Sequence, residues 1–349
     1  LNSSVTVSVV GDLILIEDQV KHALDQCDGE YDFSPVFKDV RRHLIEADLT
    51  VGVLEVPLAG EEAGYSRSNF DDGIPLYLNG PDAWAQAIKA SGIDVVSTSN
   101  NHAMDKGVSG LLRTLDVLEE IGLDYVGTFR EPSAPGRILI KEVQGLKLAF
   151  IAYTYGLNYL EKAEVQEVDQ RHISILPPLN DRNWVKMARI RIEEDVAAAR
   201  RLGADILFAL PHMGTQFTHA PDRFSRTWAE FMIQSGVDVV LADHSHAVQP
   251  VERVSIESAS GSTRAGWVVY CPGNFVNSYT EKNGDASAIV NVHLSGKGTV
   301  MGLSIVPIWI RRSAGGQYAP VAVYNALNDD HLLTSLSHLD FKKIGRAHV

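Results

Sequence analysis

Cysteine, net positive charge and long apolar runs are what this sequence has least of. Only Cys27 and Cys271 are present, far apart in the chain, which excludes a disulfide framework and a thiolate zinc cluster. Lysine and arginine number 31 against 44 aspartates and glutamates, a formal net charge of −13. A protein built to grip a phosphate backbone carries the opposite excess, so nucleic acid is not an expected partner. No stretch approaches the roughly 20 apolar residues of a bilayer-spanning helix, and no basic, apolar, small-residue signal opens the chain. It starts at Leu1 rather than methionine, which reads as a trimmed or processed start. Low-complexity tracts and solenoid periods are missing too. What remains is 45% apolar and 21% charged over 349 residues, enough for a large core.

Strand-like runs alternate with helical spacing through the first two thirds. "VTVSVVG" (5–11) opens as a strand, and helices are expected over 17–28, 36–47, 81–92, 107–121, 186–202 and 224–235. The third of these begins with Pro and ends with Gly, as helices do. Strands are expected at "LTVGVLEV", "IDVVST", "LDYVGTF", "ADILFALPH" and "VDVVLAD", and "RILIKEV-QG-LKLAFIAYT" reads as a hairpin. After residue 250 the pattern is strands alone, and 156–185 reads as a long loop or insertion. Helix-then-strand units followed by a β-rich end predict an α/β sandwich with a mixed sheet. The expected division is one domain over 5–311, with 312–349 an extension packed on it.

Five apolar runs end in groups that bind metals or move protons. "SVVGDL" ends in Asp12 and "TVGVLEV" in Glu55. "DVVSTSNNHAMD" ends in Asn100, Asn101, His102 and Asp105, "ILFALPHMG" in His212, and "VVLADHSH" in His244 and His246. Open α/β folds place ligands at the carboxyl ends of their strands. One such residue is ordinarily a turn former or cap, but five strand ends behaving alike point to a shared site. In an extended segment i and i+2 share a face, so His244 and His246 are expected to point the same way. Carboxylate, amide and imidazole without thiolate suit a hydrolytic site for zinc, manganese, iron or magnesium.

The segments "VVGDLIL", "VLEVPLAG", "STSNNHAMDKGVSGLLRTLDVLEEIGLDYVGTF", "LPHMGTQF", "LADHSHAVQPVE" and "VYCPGNFV" resemble, in order and spacing, the CapA family of bacterial poly-γ-glutamate capsule biosynthesis. That family is related to calcineurin-like metallophosphatases, and the resemblance runs from about Val5 to about Ile310. It implies an α/β/β/α sandwich of two mixed sheets flanked by helices, holding one or two divalent metal ions. One ion would be held by Asp12, Glu55 and His246, and the other by Glu55, Asn101, His212 and His244. His102 would face the leaving group, with Asp105 orienting it. The resemblance also implies an anionic polymer or phosphoester substrate, other capsule-synthesis proteins as partners, and an extracytoplasmic or membrane-associated setting.

The chain departs from the phosphatase pattern at Ile14, where those enzymes carry the histidine of Asp-x-His. Gln216 and Val53 replace an acidic residue and an asparagine typical of the family. Asn274 in "PGNF" is a second-layer group, a substrate contact or a turn former. An acidic protein needs metals or local cations to hold an anion, and Arg67, Arg223 and Arg226 are candidates. His219, close behind the His212 strand, is a further candidate for touching substrate.

Overall fold

The computed structural model describes residues 4–25, 29–70, 72–131, 137–257, 261, 263–278, 284–312 and 317–328. In chain order the elements are β1 (Ser4–Asp12), α1 (Glu17–Asp25), α2 (Arg41–Ile45), β2 (Leu49–Val53), α3 (Asp82–Ser91), β3 (Val95–Ser97), α4 (Gly107–Ile121) and β4 (Asp124–Val126). Then come β5 (Ile138–Val143), β6 (Leu146–Thr154), α5 (Lys162–Val168), α6 (Arg182–Arg201), β7 (Ile206–His212), α7 (Arg223–Ser235) and β8 (Val239–Leu241). The last third holds β9 (Val251–Glu257), β10 (Thr263–Val269), β11 (Ala286–Ser295), β12 (Thr299–Arg312), β13 (Tyr318–Ala322) and α8 (Val323–Asn328).

Two mixed sheets result. The first runs β13-β12-β11-β1-β2-β3-β4, the second β5-β6-β7-β8-β10-β9. β1 to β4 pair in parallel, and β11 lies antiparallel against β1. In the second sheet β6, β7, β8 and β10 are parallel.

Side-chain alternation explains the layering. Val5, Val7 and Val9 of β1 and Leu148, Phe150 and Ala152 of β6 join one cluster between the sheets. Phe150 stacks on Phe208 there, with centroids 5.0 Å apart, and Phe150→Ala would cost about 3–5 kcal/mol. Ala149, Ile151 and Tyr153 face the other way, onto the α6–α7 side with Ile192, Trp228 and Met232. Trp84, Ile88 and Leu118 cover the outer face of the first sheet. The order is therefore α/β/β/α. Among the described residues, no helix is long and apolar enough to cross a membrane.

Several local expectations hold for their stated reasons. The β5–β6 hairpin turns at Gln144 and Gly145, φ 48° and 84°, the left-handed pair a two-residue turn needs. α3 follows Pro81 and ends at Gly92 with φ 104°.

Others need correction. The helix expected over 36–47 is split into a 3-10 turn at Ser34–Phe37 and the short α2. α1 ends at Asp25, and 26–28 lie outside the described residues. α6 starts four residues earlier than expected, because the Asp181 carboxylate accepts the Trp184 amide and caps it. The stretch 156–185 is not a bare loop. It contains α5 with a Glu161–Glu164 capping box, and its buried Asp169 pairs with Arg191 and accepts the Trp184 indole N–H. Downstream of 311, Tyr318–Ala322 adds strand β13 to the edge of the first sheet; residues 329–349 lie outside the described residues.

Candidate metal centre

The parallel strands of both sheets end at one place. β1 delivers Asp12, and the turn after β2 delivers Glu55; each is 0% exposed. Asn101 and His102 follow β3, His212 ends β7, and His244 and His246 follow β8, all buried.

Local geometry aims these groups. Between Val9 and Asp12 the β1–β2 register shifts by a bulge, a device that re-aims a side chain at a strand end. The Asp12 carbonyl then accepts the amides of Phe275 and Val276 at 2.8 and 3.0 Å, tying the first sheet to the segment after β10. Gly11 makes this possible: a Cβ there would sit 1.8 Å from the Gly273 carbonyl oxygen and 3.0 Å from an Asp243 carboxylate oxygen.

The histidine pair is organised differently from expectation. β8 stops at Leu241, and His244 and His246 adopt φ of 112° and 55°. They do not share a face through strand alternation. Two left-handed residues, unusual for non-glycine, bring the rings 5.7 Å apart. Hydrogen bonds brace the turn, with Met213 donating to the Asp243 carbonyl at 2.8 Å and Phe217 to the Ser245 carbonyl at 2.7 Å.

Two neighbouring asparagines divide their work. The Asn100 side chain donates to the Leu54 carbonyl at 2.8 Å and accepts the His102 amide at 3.0 Å, so it shapes the turn. Asn101 Oδ1 instead lies 2.7 Å from His212 Nε2. That same nitrogen is 3.1 Å from His244 Nδ1 and 3.3 Å from Glu55 Oε1. Ligands in a tetrahedral shell with bonds near 2.0–2.1 Å stand about 3.3–3.4 Å apart; Glu55 and His212 have that spacing, and Asn101 and His244 stand closer, at hydrogen-bond distance. Asp12 Oδ2 lies 3.3 Å from His246 Nδ1, which also meets Asn274 Oδ1 at 2.8 Å.

Two triads are compact enough to hold a cation: Glu55, His212 and His244, and Asp12, Glu55 and His246. Glu55 belongs to both. The electrostatics explain why a cation fits. All four carboxylate oxygens of Asp12 and Glu55 are buried without a hydrogen-bond partner, as is His212 Nδ1. Buried charges normally come paired or coordinated. Burial, then repulsion from Glu55, pushes the Asp12 carboxyl well up. Glu55 is pushed up by its own burial, but His246, His212 and His102 outweigh that and hold it below the usual range. Burial holds His212 and His244 below the ordinary imidazole value, which favours the neutral ring that donates a lone pair to a cation. The donor set therefore fits one or two divalent metal ions.

Above this cluster opens a cavity of about 390 Å³, whose wall includes Glu55, His102, His246, Ile14, Phe70, Leu76, Tyr155, Asn158 and Phe217. His102 Nδ1 is 2.6 Å from Asp105 Oδ2, which also accepts the Leu78 amide at 2.7 Å. Its Nε2 is 3.3 Å from the Asn158 side-chain nitrogen. Ile14 stands on the cavity wall, and Gln216 reaches His246 at 3.3 Å.

Four residues expected near substrate stand elsewhere. Asn274 is fully buried behind His246. Arg226 pairs with Glu252 at 3.0 Å and covers the Tyr270 ring. His219 Nδ1 lies 3.0 Å from the Val248 carbonyl, and Arg223 is exposed at the start of α7. None of them lines the cavity. Tyr155 (centroid 4.5 Å from His244) and Asn158 escaped sequence reasoning. Both sit just past a strand end, but neither residue type stands out in a segment read as a loop.

Known proteins give the same picture. The family model for bacterial capsule synthesis protein PGA_cap matches residues 6–279. The capsule biosynthesis protein CapA of Bacillus anthracis is 24% identical over 96% of this chain and 74% of its own length. The PGA biosynthesis protein CapA of Bacillus subtilis is 26% identical over 84% and 69%. A 5′-nucleotidase precursor from Thermus thermophilus superposes with a TM-score of 0.50 at 14% identity, over 88% of this chain and 54% of that one. A calcineurin-like phosphoesterase from Bacillus subtilis gives 0.47 at 12% identity over the whole of both chains. The fold is the metallophosphatase-like sandwich of two mixed sheets. With its family match running from β1 through every candidate ligand, the protein belongs to the bacterial capsule synthesis PGA_cap family.

Proposed function

We propose that the protein is a metal-dependent hydrolase or transferase acting on a phosphoester or a γ-glutamyl amide in capsule-polymer metabolism. The carrying observation is the pair of fully buried carboxyl groups, Asp12 and Glu55, without a hydrogen-bond partner and set among the imidazoles of His212, His244 and His246 beneath a cavity that Glu55 and His246 line. Asp12, Glu55 and His246 would hold one cation; Glu55, Asn101, His212 and His244 would hold the other. When bound, the cations would supply electrophilic activation of the scissile group and of water.

The chain's own groups do the rest. Asp105 accepts His102 Nδ1–H and leaves Nε2 facing the cavity, so His102 in its protonated form can give a proton to a leaving oxygen or nitrogen. The Asn158 amide nitrogen, 3.3 Å from that Nε2, can donate to it once the proton has left. Phe70, Leu76 and Phe217 keep water from the flanks of the site.

The test is turnover of a phosphoester and γ-glutamyl peptide panel by protein purified without chelators, against chelated protein and His244→Ala. Activity lost in both controls supports the reading. A metal-loaded protein inert across the panel would sink it.

Ile14 favours a second reading. An apolar side chain where phosphatases offer histidine removes one ligand, which suits a non-catalytic module gripping an anionic chain for export. Polymer binding that survives loss of every candidate ligand is its signature.

A further inference from the structure

Among the described residues, no lysine or arginine lines the cavity above the metal cluster, although the substrates considered above are anionic. Two cations lie next door. A second pocket of about 410 Å³ is lined by Arg67, Lys106, Tyr65, Ser68, Tyr77 and the rim residue Glu62, among others. The two cavities meet at one wall: Tyr77 of the outer pocket packs on Tyr159 of the inner one, with ring centroids 4.1 Å apart.

The outer pocket is built, not a chance hollow. Asn79, 0% exposed, donates to the carbonyls of Gly60 at 2.8 Å and Gly64 at 3.1 Å, and it accepts the Ala59 amide at 2.7 Å. Ser66 Oγ donates to the Leu15 carbonyl at 2.9 Å, and the Ser68 carbonyl accepts the Glu17 amide at 3.1 Å. The strip 60–79 is thus fastened to the segment that leaves β1 and the metal cluster.

Neither of its two cations is taken up by an ion pair among the described residues. Lys106 donates to the Ala63 carbonyl at 3.1 Å, and burial together with repulsion from Arg67 works against its charge, with Asp105 offsetting part. Neither Arg67 nor Lys106 forms an ion pair among the described residues, and exposed Glu62 pairs with neither. Two like charges side by side at a pocket wall, neither held in an ion pair among the described residues and only Lys106 partly offset by Asp105, suit oxyanion recognition.

From this juxtaposition we propose that Arg67 and Lys106 form an anion subsite for a second oxyanionic group, carboxylate or phosphate, on the substrate processed at the metal cluster. The substrate would lie across the Tyr77–Tyr159 pair, its reacting bond in the cavity over the metal cluster and its distal charge against Arg67 and Lys106. Specificity for a polyanionic chain would then come from the outer pocket and not from the metals alone. This extends the proposed function and rests on it for the reacting end of the ligand.

Binding, not turnover, is the primary readout, so the two ideas can fail separately. The metal-loaded full chain is titrated with a short oligo-γ-glutamate, its methyl ester, and an oligophosphate. Arg67→Gln with Lys106→Met should weaken an anionic oligomer about tenfold or more, leave the neutral ester unchanged and flatten the salt dependence. Arg67→Glu should weaken it further, and thermal melts should match wild type. Loss with oligo-γ-glutamate alone assigns the subsite to carboxylate; loss with oligophosphate alone assigns it to phosphate. Unchanged affinity for both anions in the double variant overturns the subsite, whatever the turnover. If binding depends on the pair but no substrate turns over, the subsite stands and the hydrolase reading falls.

Discussion

The two sheets bring opposite chemistry to one point. The seven-stranded sheet delivers oxygen: Asp12, Glu55 and Asn101, at or just past the ends of β1, β2 and β3. The six-stranded sheet delivers nitrogen: His212, His244 and His246, at or just past the ends of β7 and β8. Alone, the first half is a pair of buried carboxyl groups that repel one another, and the second is three crowded imidazoles beside the buried Asp243 carboxyl. Each half is costly, and together they suit a cation. The site therefore belongs to the packing of one sheet on the other, and no single motif contains it.

Breaking the nitrogen half should have the largest effect. His212→Ala removes the ring that meets Asn101, His244 and Glu55 together. Metal affinity measured by competition with a chelator should fall about 100-fold or more, beyond what outer-layer changes cost; near-wild-type affinity would mean that the ring is structural. Breaking the seam comes next. Gly11→Ala forces a methyl group against the Gly273 carbonyl and should cost about 3 kcal/mol of stability in denaturant melts. A wild-type midpoint would show that the two sheets are not held at this contact.

Asp105→Asn leaves both halves intact and disturbs only the group beside them. It should lower kcat about tenfold, with KM nearly unchanged and a displaced pH profile. An equal change in KM with an unmoved profile would assign Asp105 to binding.

The smallest effect is the pH dependence of metal stabilisation. A carboxyl raised above its unfolded value stabilises the metal-free fold below that value and loses this contribution as pH rises through the folded one. Asp12 is such a group, and a cation must displace its proton. The melting-temperature gain on adding manganese or zinc should therefore grow with pH across that window and then level off. The energetic change is up to about 1.4 kcal/mol per pH unit for each proton released. Burial lowers His212 and His244, which weakens their competition for protons. A pH-independent gain argues against Asp12 as a ligand.

Much of the oxygen half was legible because a carboxylate after an apolar run is a residue-level signal. Asp12, Glu55 and Asn101 stand where the strand reading places them, and the family match covers them all. The nitrogen half was legible in identity but not in cause. The His244 and His246 rings meet through left-handed backbone, which tertiary bracing imposes and no local pattern announces. The cavity walls were the least legible part. Phe70, Leu76, Tyr155, Asn158 and Phe217 sit in connections, where side-chain periodicity carries no information. The helix expected over 36–47 fails for a related reason: its apolar spacing fits a helix, yet Phe37, Val40 and Leu44 pack the core from two separate turns.

Glu55 is the one residue in both triads, and the account stands or falls there. The most direct measurement is the metal content of the full chain purified without chelators, compared with Glu55→Gln by elemental analysis. Wild type should carry bound divalent metal, and Glu55→Gln should carry almost none, because the change empties both positions at once. Equal metal content in the two proteins would contradict the shared carboxylate and the joining of the two halves built on it.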